Sequence, residues 1–180
     1  YREMAVHVPL NAHPGVRSVL VAGGGDGSVV AELVRYPEVE RIVVAEPDDG
    51  VVEAARRWFP EIASSLRDPR VRLVAEDAAG FARETMERFD LVIVDRPDDE
   101  GKAELGQAFY CDCFRILSGD GILVNRAGSA TFPGRRRDLV RSAGRLKRLF
   151  PVYRLYRVSP PAGEPGELLL GFASKRYEPS

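Results

Sequence analysis

The sequence predicts an α/β fold in which helices cover both faces of a mostly parallel sheet. Seven short apolar runs recur along the 180 residues, and helical patterns separate the first five of them. A strand followed by a helix, repeated along the chain, places successive strands parallel and buries the sheet on both faces. The length suits one domain with one core. We therefore predict a single Rossmann-like, doubly wound domain that spans 1–180 and contains a seven-stranded sheet.

The predicted strands are the runs rich in aliphatic and β-branched residues: Val16–Ala22, Arg41–Ala45, Val71–Ala75, Leu91–Val94, Gly121–Val124, Val152–Val158 and Leu168–Ala173. Apolar residues at helical spacing predict five helices: Ser28–Tyr36, Asp49–Phe59, Ala78–Arg88, Lys102–Leu117 and the basic helix Pro133–Leu149. Trp58 and Phe59 are expected to pack in the core. We expect the last two strands to form an antiparallel, hairpin-like pair at the edge of the sheet.

A glycine-rich turn follows the first predicted strand. It contains Gly23, Gly24, Gly25 and Gly27, and a turn without Cβ atoms lets a ligand approach bare backbone at the start of the next helix. Glu46 ends the second strand about twenty residues later, where nucleotide-binding α/β folds place an acceptor for ribose hydroxyls. Together these features predict a pocket for an adenosine compound.

One carboxylate follows each of the first four predicted strands, namely Asp26, Glu46, Asp77 and Asp95. In an open α/β sheet the ligand lies outside the carboxyl ends of the strands, so these side chains are expected to converge. Each of them alone is equally well interpreted as a helix cap or a turn former. As a group they suit a positively charged nucleoside, with Glu46 at the ribose, Asp77 at the adenine amino group and Asp26 at the cation.

An S-adenosyl sulfonium compound fits this arrangement, and the predicted fold is then of the S-adenosylmethionine-dependent methyltransferase type. NAD is the closer competitor, because Glu46 would serve its ribose equally, but Asp26 inside the turn disfavours a pyrophosphate. A nucleoside triphosphate fits badly, since the chain has no Gly-Lys-Ser/Thr sequence to hold its phosphates.

Asp95 opens the most acidic segment of the chain, which also contains Asp98. An alkylamine, with a pKa of about 10.4, must lose a proton before its nitrogen can attack. Asp95 is positioned to orient such an amine and take that proton, which contributes about 10²–10⁴-fold, while alignment of the reactants contributes roughly 7–11 kcal/mol. Asp99 and Glu100 are as well explained by a solvated loop.

Composition narrows the remaining classes of function. The 26 basic and 27 acidic residues leave a net charge of −1, which provides no overall attraction to nucleic acid or to an anionic membrane. The two cysteines and the lack of a signal-like or spanning segment lead us to expect a cytoplasmic protein. Neither the number nor the spacing of the two histidines supports a metal site, so none is predicted.

Motifs along nearly the whole chain resemble those of the spermidine synthases, the polyamine aminopropyltransferases. The matching segments are 1–10, His13-Pro, 23–27, Glu46, Asp68-Pro-Arg-Val, Glu76-Asp-Ala78, the 94–98 segment and 171–175. The resemblance implies that decarboxylated S-adenosylmethionine is the co-substrate, that no cofactor is permanently bound, and that methylthioadenosine is released when an aminopropyl group passes to an amine.

The resemblance also implies roles for single residues. Asp26 would contact the aminopropyl amine of the donor, and Asp77 with its neighbour Ala78 would contact the adenine. Asp95 would deprotonate the attacking amine, while Tyr1 and Asp98 would hold the acceptor. We expect a homodimer, and we expect the small β-domain that precedes this region in the family to be absent.

The acceptor side departs from the family pattern. Arg96 and Lys102 interrupt the acidic segment, Arg2 enters the opening motif, and the final loop lacks tyrosine. The chain has Asn125-Arg126-Ala127-Gly128 after the fifth strand, where the family tends to carry glutamine followed by glutamate or glycine. A second positive charge 4 Å from a cation costs about 4 kcal/mol at an effective dielectric constant near 20. Arg2 or Arg126 would instead suit a carboxylate, on the acceptor or on S-adenosylmethionine itself. A methyltransferase and a catalytically inactive nucleoside-binding relative remain the alternatives.

Overall fold

The computed structural model describes residues 1–95, 106–128, 133–158 and 168–179, with side chains for all of these except 133–138. Seven strands form one sheet: β1 (Ser18–Gly23), β2 (Arg41–Ala45), β3 (Val71–Val74), β4 (Phe89–Asp95), β5 (Leu117–Gly128), β6 (Val152–Val158) and β7 (Leu168–Ser174). Their spatial order is β3-β2-β1-β4-β5-β7-β6. The described helices are α1 (Arg2–Ala12), α2 (Ser28–Leu33), α3 (Asp49–Trp58), α4 (Pro60–Ala63), a short 3-10 helix (Ser64–Arg67), α5 (Ala78–Glu84), α6 (Gln107–Ile116) and α7 (Pro133–Leu149).

The first five strands run parallel, and β7 runs antiparallel to both of its neighbours, β5 and β6. The order of the strands reverses between β1 and β4, which lie side by side at the centre of the sheet. The antiparallel pairing of the last two strands is confirmed, although only β6 lies at the edge, because β7 inserts next to β5. This arrangement confirms the predicted mostly parallel, seven-stranded α/β fold.

Successive residues of each central strand point to opposite faces of the sheet, so each face has its own core. Leu20 of β1 faces one core, with α5, α6 and α7, and Val19 and Val21 face the other, with α1, α2 and α3. Because both faces are covered by helices, the central strands are apolar throughout, as the sequence predicted. The doubly wound arrangement is thereby confirmed.

The helix before β1 was missed by the sequence analysis. It spans Arg2–Ala12 and contains Pro9, which has no N–H to donate and therefore argues against a helix interior. Ala5 and Val6 are fully buried against the face that carries α2. Packing of these small apolar residues holds the helix in place, and it brings Tyr1 to the carboxyl ends of the strands.

Several boundaries differ from the predictions. Helix α2 ends at Leu33 rather than Tyr36, because Arg70 donates to the backbone oxygens of Val34, Tyr36 and Val39 at 2.7–2.9 Å and ends the helix there. Helix α6 begins at Gln107, and the earlier part of its predicted range, 102–105, lies outside the described residues. No helix in the described part of the chain has both the length and the apolar character needed to cross a bilayer.

Candidate active site

A cavity of about 380 Å³ opens at the carboxyl ends of four neighbouring strands. In spatial order, Glu46 follows β2, the glycine turn follows β1, Asp95 ends β4, and Arg126 lies in β5. The residues that line the cavity are Tyr1, Arg2, Gly24, Gly25, Asp26, Ser28, Glu46, Val51, Asp95 and Arg126. Most of the predicted site residues therefore meet at the point where the strand order reverses, as expected for an open α/β sheet.

The glycines of the turn are required by the chain's own geometry. Gly23, Gly24 and Gly27 have φ values of 86°, 80° and 78°, which side chains rarely adopt. Glycine is required at position 25 for a different reason, because an added Cβ would lie 2.4 Å from Cγ of Glu46. The turn thus holds the Glu46 side chain directly against its backbone. Gly23 and Gly27 support the turn without lining the cavity.

Glu46 is fixed by two backbone N–H groups. Its Oε2 accepts from the N–H of Gly25 at 3.2 Å, and its Oε1 accepts from the N–H of Asp48 at 3.1 Å. Each oxygen of a carboxylate has two lone-pair directions, so acceptor capacity remains on both. The carboxylate is therefore oriented in advance and retains the capacity to accept from the two hydroxyls of a ribose.

Asp26 and Asp77 both hold helix N-termini. Asp26 Oδ1 accepts from the N–H of Ser28 at 2.8 Å, and Asp77 Oδ2 accepts from the N–H of Ala79 at 3.1 Å. Asp26 directly precedes Gly27, the N-cap of α2. It is exposed and lines the cavity, so its bond to Ser28 leaves it available to a ligand. Asp77 caps α5 at the neighbouring strand end and does not line this cavity, and Ala78 is buried in the core. Their contact with adenine stays a prediction.

Asp95 and Tyr1 form the buried end of the site. The hydroxyl of Tyr1 donates to Asp95 Oδ1. The other oxygen, Oδ2, lies over the turn, since a Cβ added to Gly24 would come within 3.3 Å of it. Asp95 is also the sheet neighbour of Gly23. The oxygen that Tyr1 does not contact is therefore directed at the space above the glycine turn.

Burial raises the pKa of Asp95 from its ordinary value to about 6. The hydrogen bond from Tyr1 opposes this rise in pKa, the charge of Asp26 adds to it, and the charges of Arg126 and Arg2 oppose it. Burial and the adjacent carboxylate raise the pKa of Tyr1 far above its usual range, so the phenol remains a donor at any physiological pH. A carboxylate with this pKa is ionised at neutral pH and is a better proton acceptor than an exposed one.

The predicted burial of Trp58 and Phe59 is wrong. Trp58 and Phe59 do not pack in the core, since they are 68% and 62% exposed. They border a second cavity of about 470 Å³ that shares Arg2, Asp26 and Val51 with the first. Asp98, which was predicted to hold the acceptor, lies outside the described residues.

Within the described ranges there is no cluster of three or more His, Cys, Asp or Glu residues placed to hold a metal ion.

Arg2, Ser28 and Val51 also line the cavity. Arg2 was noticed as a departure from a motif and as a group that would suit a carboxylate of a substrate, whereas Ser28 and Val51 were not predicted as site residues. Ser28 is the first residue of α2 and Val51 lies in the first turn of α3, and nothing in their residue types marks them as ligand contacts. Their contact with the cavity depends on how the first turns of α2 and α3 pack beside the glycine turn, and the sequence pattern does not show this packing.

The fold and the site together define an α/β domain with a carboxylate-lined cavity at the switch point of the sheet. The chain matches the family described as spermine/spermidine synthase domain over residues 1–163, and it belongs to that family.

Curated relatives agree with this family assignment. The chain is 42% identical to the polyamine aminopropyltransferase of Clostridium perfringens (strain 13 / Type A) and 39% identical to that of Alkaliphilus metalliredigens (strain QYMF), in both cases over 99% of this chain and 64% of the relative. The chain thus spans less than two thirds of the length of these curated relatives.

Solved structures show the same fold. The crystal structure of spermidine synthase from Thermotoga maritima has a TM-score of 0.90 and 29% sequence identity, over 99% of this chain and 60% of that chain. A crystal structure of spermidine synthase in complex with the transition state analogue AdoDATO has a TM-score of 0.91, again with 29% identity, over 99% of this chain and 61% of that chain.

Proposed function

We propose that this chain transfers an aminopropyl group from decarboxylated S-adenosylmethionine to an amine and releases methylthioadenosine. The observation that carries the proposal is the placement of Asp95, with one oxygen held by Tyr1 and the other above the glycine turn, in the same cavity as Asp26 and Glu46. Family membership and the names of the relatives support it.

The donor side would use the turn and two carboxylates. Glu46 accepts hydrogen bonds from the ribose, and its geometry is fixed before the ligand arrives. Asp26 attracts the positive charges of the donor, because it is exposed in the cavity next to the turn. Asp77 and Ala78 would contact the adenine from the next strand end. The donor acts as a co-substrate, and no permanently bound cofactor is needed.

The acceptor side would use Asp95. The amine nitrogen attacks the carbon beside the sulfonium, a C–N bond forms, and the C–S bond breaks with its electron pair going to sulfur. Asp95 takes the proton that the nitrogen loses. The reaction needs no oxidant or metal for its balance, and its main requirement is that nitrogen, carbon and sulfur lie in line.

The remaining expectations belong to the same proposal. Residues 1–180 would act as one nucleoside-binding transferase domain, which is supported by the single sheet that contains all seven described strands. The substrates are small molecules, and neither nucleic acid nor a membrane has a role. A homodimer and a cytoplasmic location are part of the proposal and are tested by light scattering and by fractionation of the source cells.

Identification of the products tests the proposed reaction. The chain is incubated with decarboxylated S-adenosylmethionine or with S-adenosylmethionine and a panel of amines, and the products are separated by mass. Methylthioadenosine together with an amine enlarged by an aminopropyl group is the expected result. S-adenosylhomocysteine with a methylated amine would show a methyltransferase instead, and binding of nucleoside without either product would show an inactive relative.

A further inference from the structure

Two guanidinium groups share the cavity with its carboxylates. Arg2 and Arg126 both line it, and the charges of both lower the pKa of Asp95, so both act within electrostatic range of that carboxylate. In the part of the chain that the structure describes, neither forms an ion pair with Asp or Glu within 4.0 Å. Both guanidinium groups therefore contribute positive charge to the wall of the cavity.

Arg126 is held in a defined place. The Cζ atom of its guanidinium lies 5.2 Å from the centre of the Tyr1 ring, and Tyr1 in turn is bonded to Asp95. Its Nε is buried, and among the described residues it has no hydrogen-bond partner. A buried N–H group without an acceptor is destabilising unless a ligand or water supplies one. The side chain thus presents an unused donor beside the reacting groups.

The two guanidinium groups provide a place for one negative group on a ligand that is otherwise positively charged. Among the described lining residues are three carboxylates, Asp26, Glu46 and Asp95, and the two guanidinium groups of Arg2 and Arg126. The decarboxylated donor brings two positive charges, and a diamine acceptor brings two more. A substrate that has a carboxylate in place of one ammonium, or in addition to it, lowers the total positive charge in the cavity. Its carboxylate oxygens can also accept hydrogen bonds from Arg126.

We propose that the cavity binds a substrate that carries a carboxylate, and that Arg126 is the anchor of that carboxylate. The planar fork of a guanidinium matches a carboxylate through parallel N–H···O bonds. This inference rests on the proposed transfer reaction and names its substrate class. The carboxylate belongs either to an amino acid that acts as acceptor or to S-adenosylmethionine that acts as donor.

The position of Arg126 next to Tyr1 and Asp95 favours the acceptor as the source. In that case the amine end of the amino acid attacks, its carboxylate stays on Arg126, and the product is an N-aminopropyl amino acid. If the donor is the source, a 3-amino-3-carboxypropyl group moves by the same displacement. Methylthioadenosine leaves in both cases, so its release reports both reactions and the mass of the other product separates them.

Matched pairs of ligands test the inference. For the acceptor, linear diamines of three to six carbons are compared with ω-amino acids of the same length, which differ only at the end remote from the attacking amine. For the donor, decarboxylated S-adenosylmethionine is compared with S-adenosylmethionine. Calorimetry gives the Kd of each ligand independently of turnover, and methylthioadenosine release gives kcat/KM for each pair of substrates.

Arg126→Gln and Arg17→Gln are the paired variants. Arg17 is a suitable control because its side chain is 72% exposed and pairs with Glu40 on the surface. We expect the unmodified chain to favour the carboxylate-bearing member of at least one pair by tenfold or more in Kd or kcat/KM. Arg126→Gln is expected to reduce this preference at least tenfold, whereas Arg17→Gln keeps it. Arg126→Lys retains the charge without the fork and should give an intermediate preference.

The possible failures are distinguishable. If methylthioadenosine forms but the diamines and the decarboxylated donor have a Kd and a kcat/KM equal to or better than those of their carboxylate-bearing counterparts, the carboxylate site is disproved. The proposed function then stands. An unchanged preference in Arg126→Gln disproves the role of Arg126 as anchor. If no donor binds and no methylthioadenosine forms with any pair, the proposed function fails, and this inference fails with it.

Discussion

The hydroxyl of Tyr1 donates a hydrogen bond to Asp95, which lies 94 residues further along the chain. Helix α1 carries Tyr1 to this position, and strand β4 carries Asp95. The bond occupies one carboxylate oxygen and leaves the other above the glycine turn. This hydrogen bond thereby connects Tyr1 to the point at which the nucleoside and the amine are proposed to meet.

Replacement of Asp95 tests its role as proton acceptor. In Asp95→Asn the side chain still accepts from Tyr1 but no longer takes a proton, so we expect kcat to fall about 10²–10⁴-fold with little change in the Kd of the donor. Steady-state kinetics and calorimetry measure the two quantities. The exposed Asp49, at the start of α3, provides the control variant Asp49→Asn. A fall in kcat of less than threefold in Asp95→Asn would remove Asp95 from the proposed chemistry.

The pH dependence of the reaction follows from the raised pKa of Asp95. Because its pKa is about 6 rather than 3.8, the carboxylate becomes protonated, and thus unable to accept a proton, as the pH falls through about 6. We expect kcat/KM to decline about tenfold per pH unit below that value. A profile that stays flat down to pH 4.5 would contradict the buried, desolvated environment of this carboxylate.

Tyr1→Phe provides the matched variant for this profile. The hydrogen bond from Tyr1 lowers the pKa of Asp95 against the larger effect of burial, so its loss should raise the pKa further. The acidic limb of the kcat/KM profile is expected to move to higher pH, while the ring contact with Arg126 is retained. A limb that moves to lower pH, or does not move, would show that the phenol does not act on Asp95.

Gly25 gives a test of the donor side. An added Cβ would lie 2.4 Å from Cγ of Glu46, so Gly25→Ala must displace the carboxylate that is proposed to bind the ribose. We expect the Kd of methylthioadenosine to rise at least tenfold, as measured by calorimetry. Gly15→Ala is the control, because a Cβ there meets nothing within 4 Å. Equal affinities in the two variants would exclude Glu46 from the nucleoside pocket.

Arg70 is predicted to contribute to stability rather than to catalysis. Its guanidinium donates to three backbone oxygens beyond α2 and pairs with Asp68. Hydrogen bonds from charged groups contribute roughly 1.5–3 kcal/mol each when buried, and they are not additive. We expect Arg70→Ala to lower the free energy of unfolding by about 2 kcal/mol in urea titrations. Arg35 is exposed and pairs with Glu32. We expect Arg35→Ala to lower the free energy of unfolding by less than about 0.5 kcal/mol.

The fold and the line of site residues were predictable because they depend on local patterns. Apolar runs separated by helical patterns define parallel strands, and parallel strands end at one edge of the sheet, so Asp26, Glu46 and Asp95 had to lie near one another. The order of the elements and the spacing of the motifs predict this proximity of the three carboxylates without any knowledge of packing. The spatial order of the strands and the cavity itself agree with that reasoning.

The remaining features depend on packing between distant segments. Helix α1 was missed because Pro9 argues against a helix, and its stability comes from the burial of Ala5 and Val6 against α2. The prediction for Trp58 was wrong because aromatic residues at the end of a helix have no local signal that separates burial from exposure. Arg126 of β5 contacts the ring of Tyr1, which directly precedes α1. The two residues are far apart in the sequence, so no local pattern predicts this contact.

The most direct test of the central claim compares two ligands that share adenosine and a sulfur atom but differ in charge. Calorimetry is performed with decarboxylated S-adenosylmethionine and with methylthioadenosine at low ionic strength. If Asp26 and Glu46 hold a sulfonium compound over the glycine turn, the charged donor binds at least tenfold tighter, a difference of about 1.4 kcal/mol, and the difference shrinks as salt is added. Equal or weaker binding of the charged donor at every salt concentration would contradict the account.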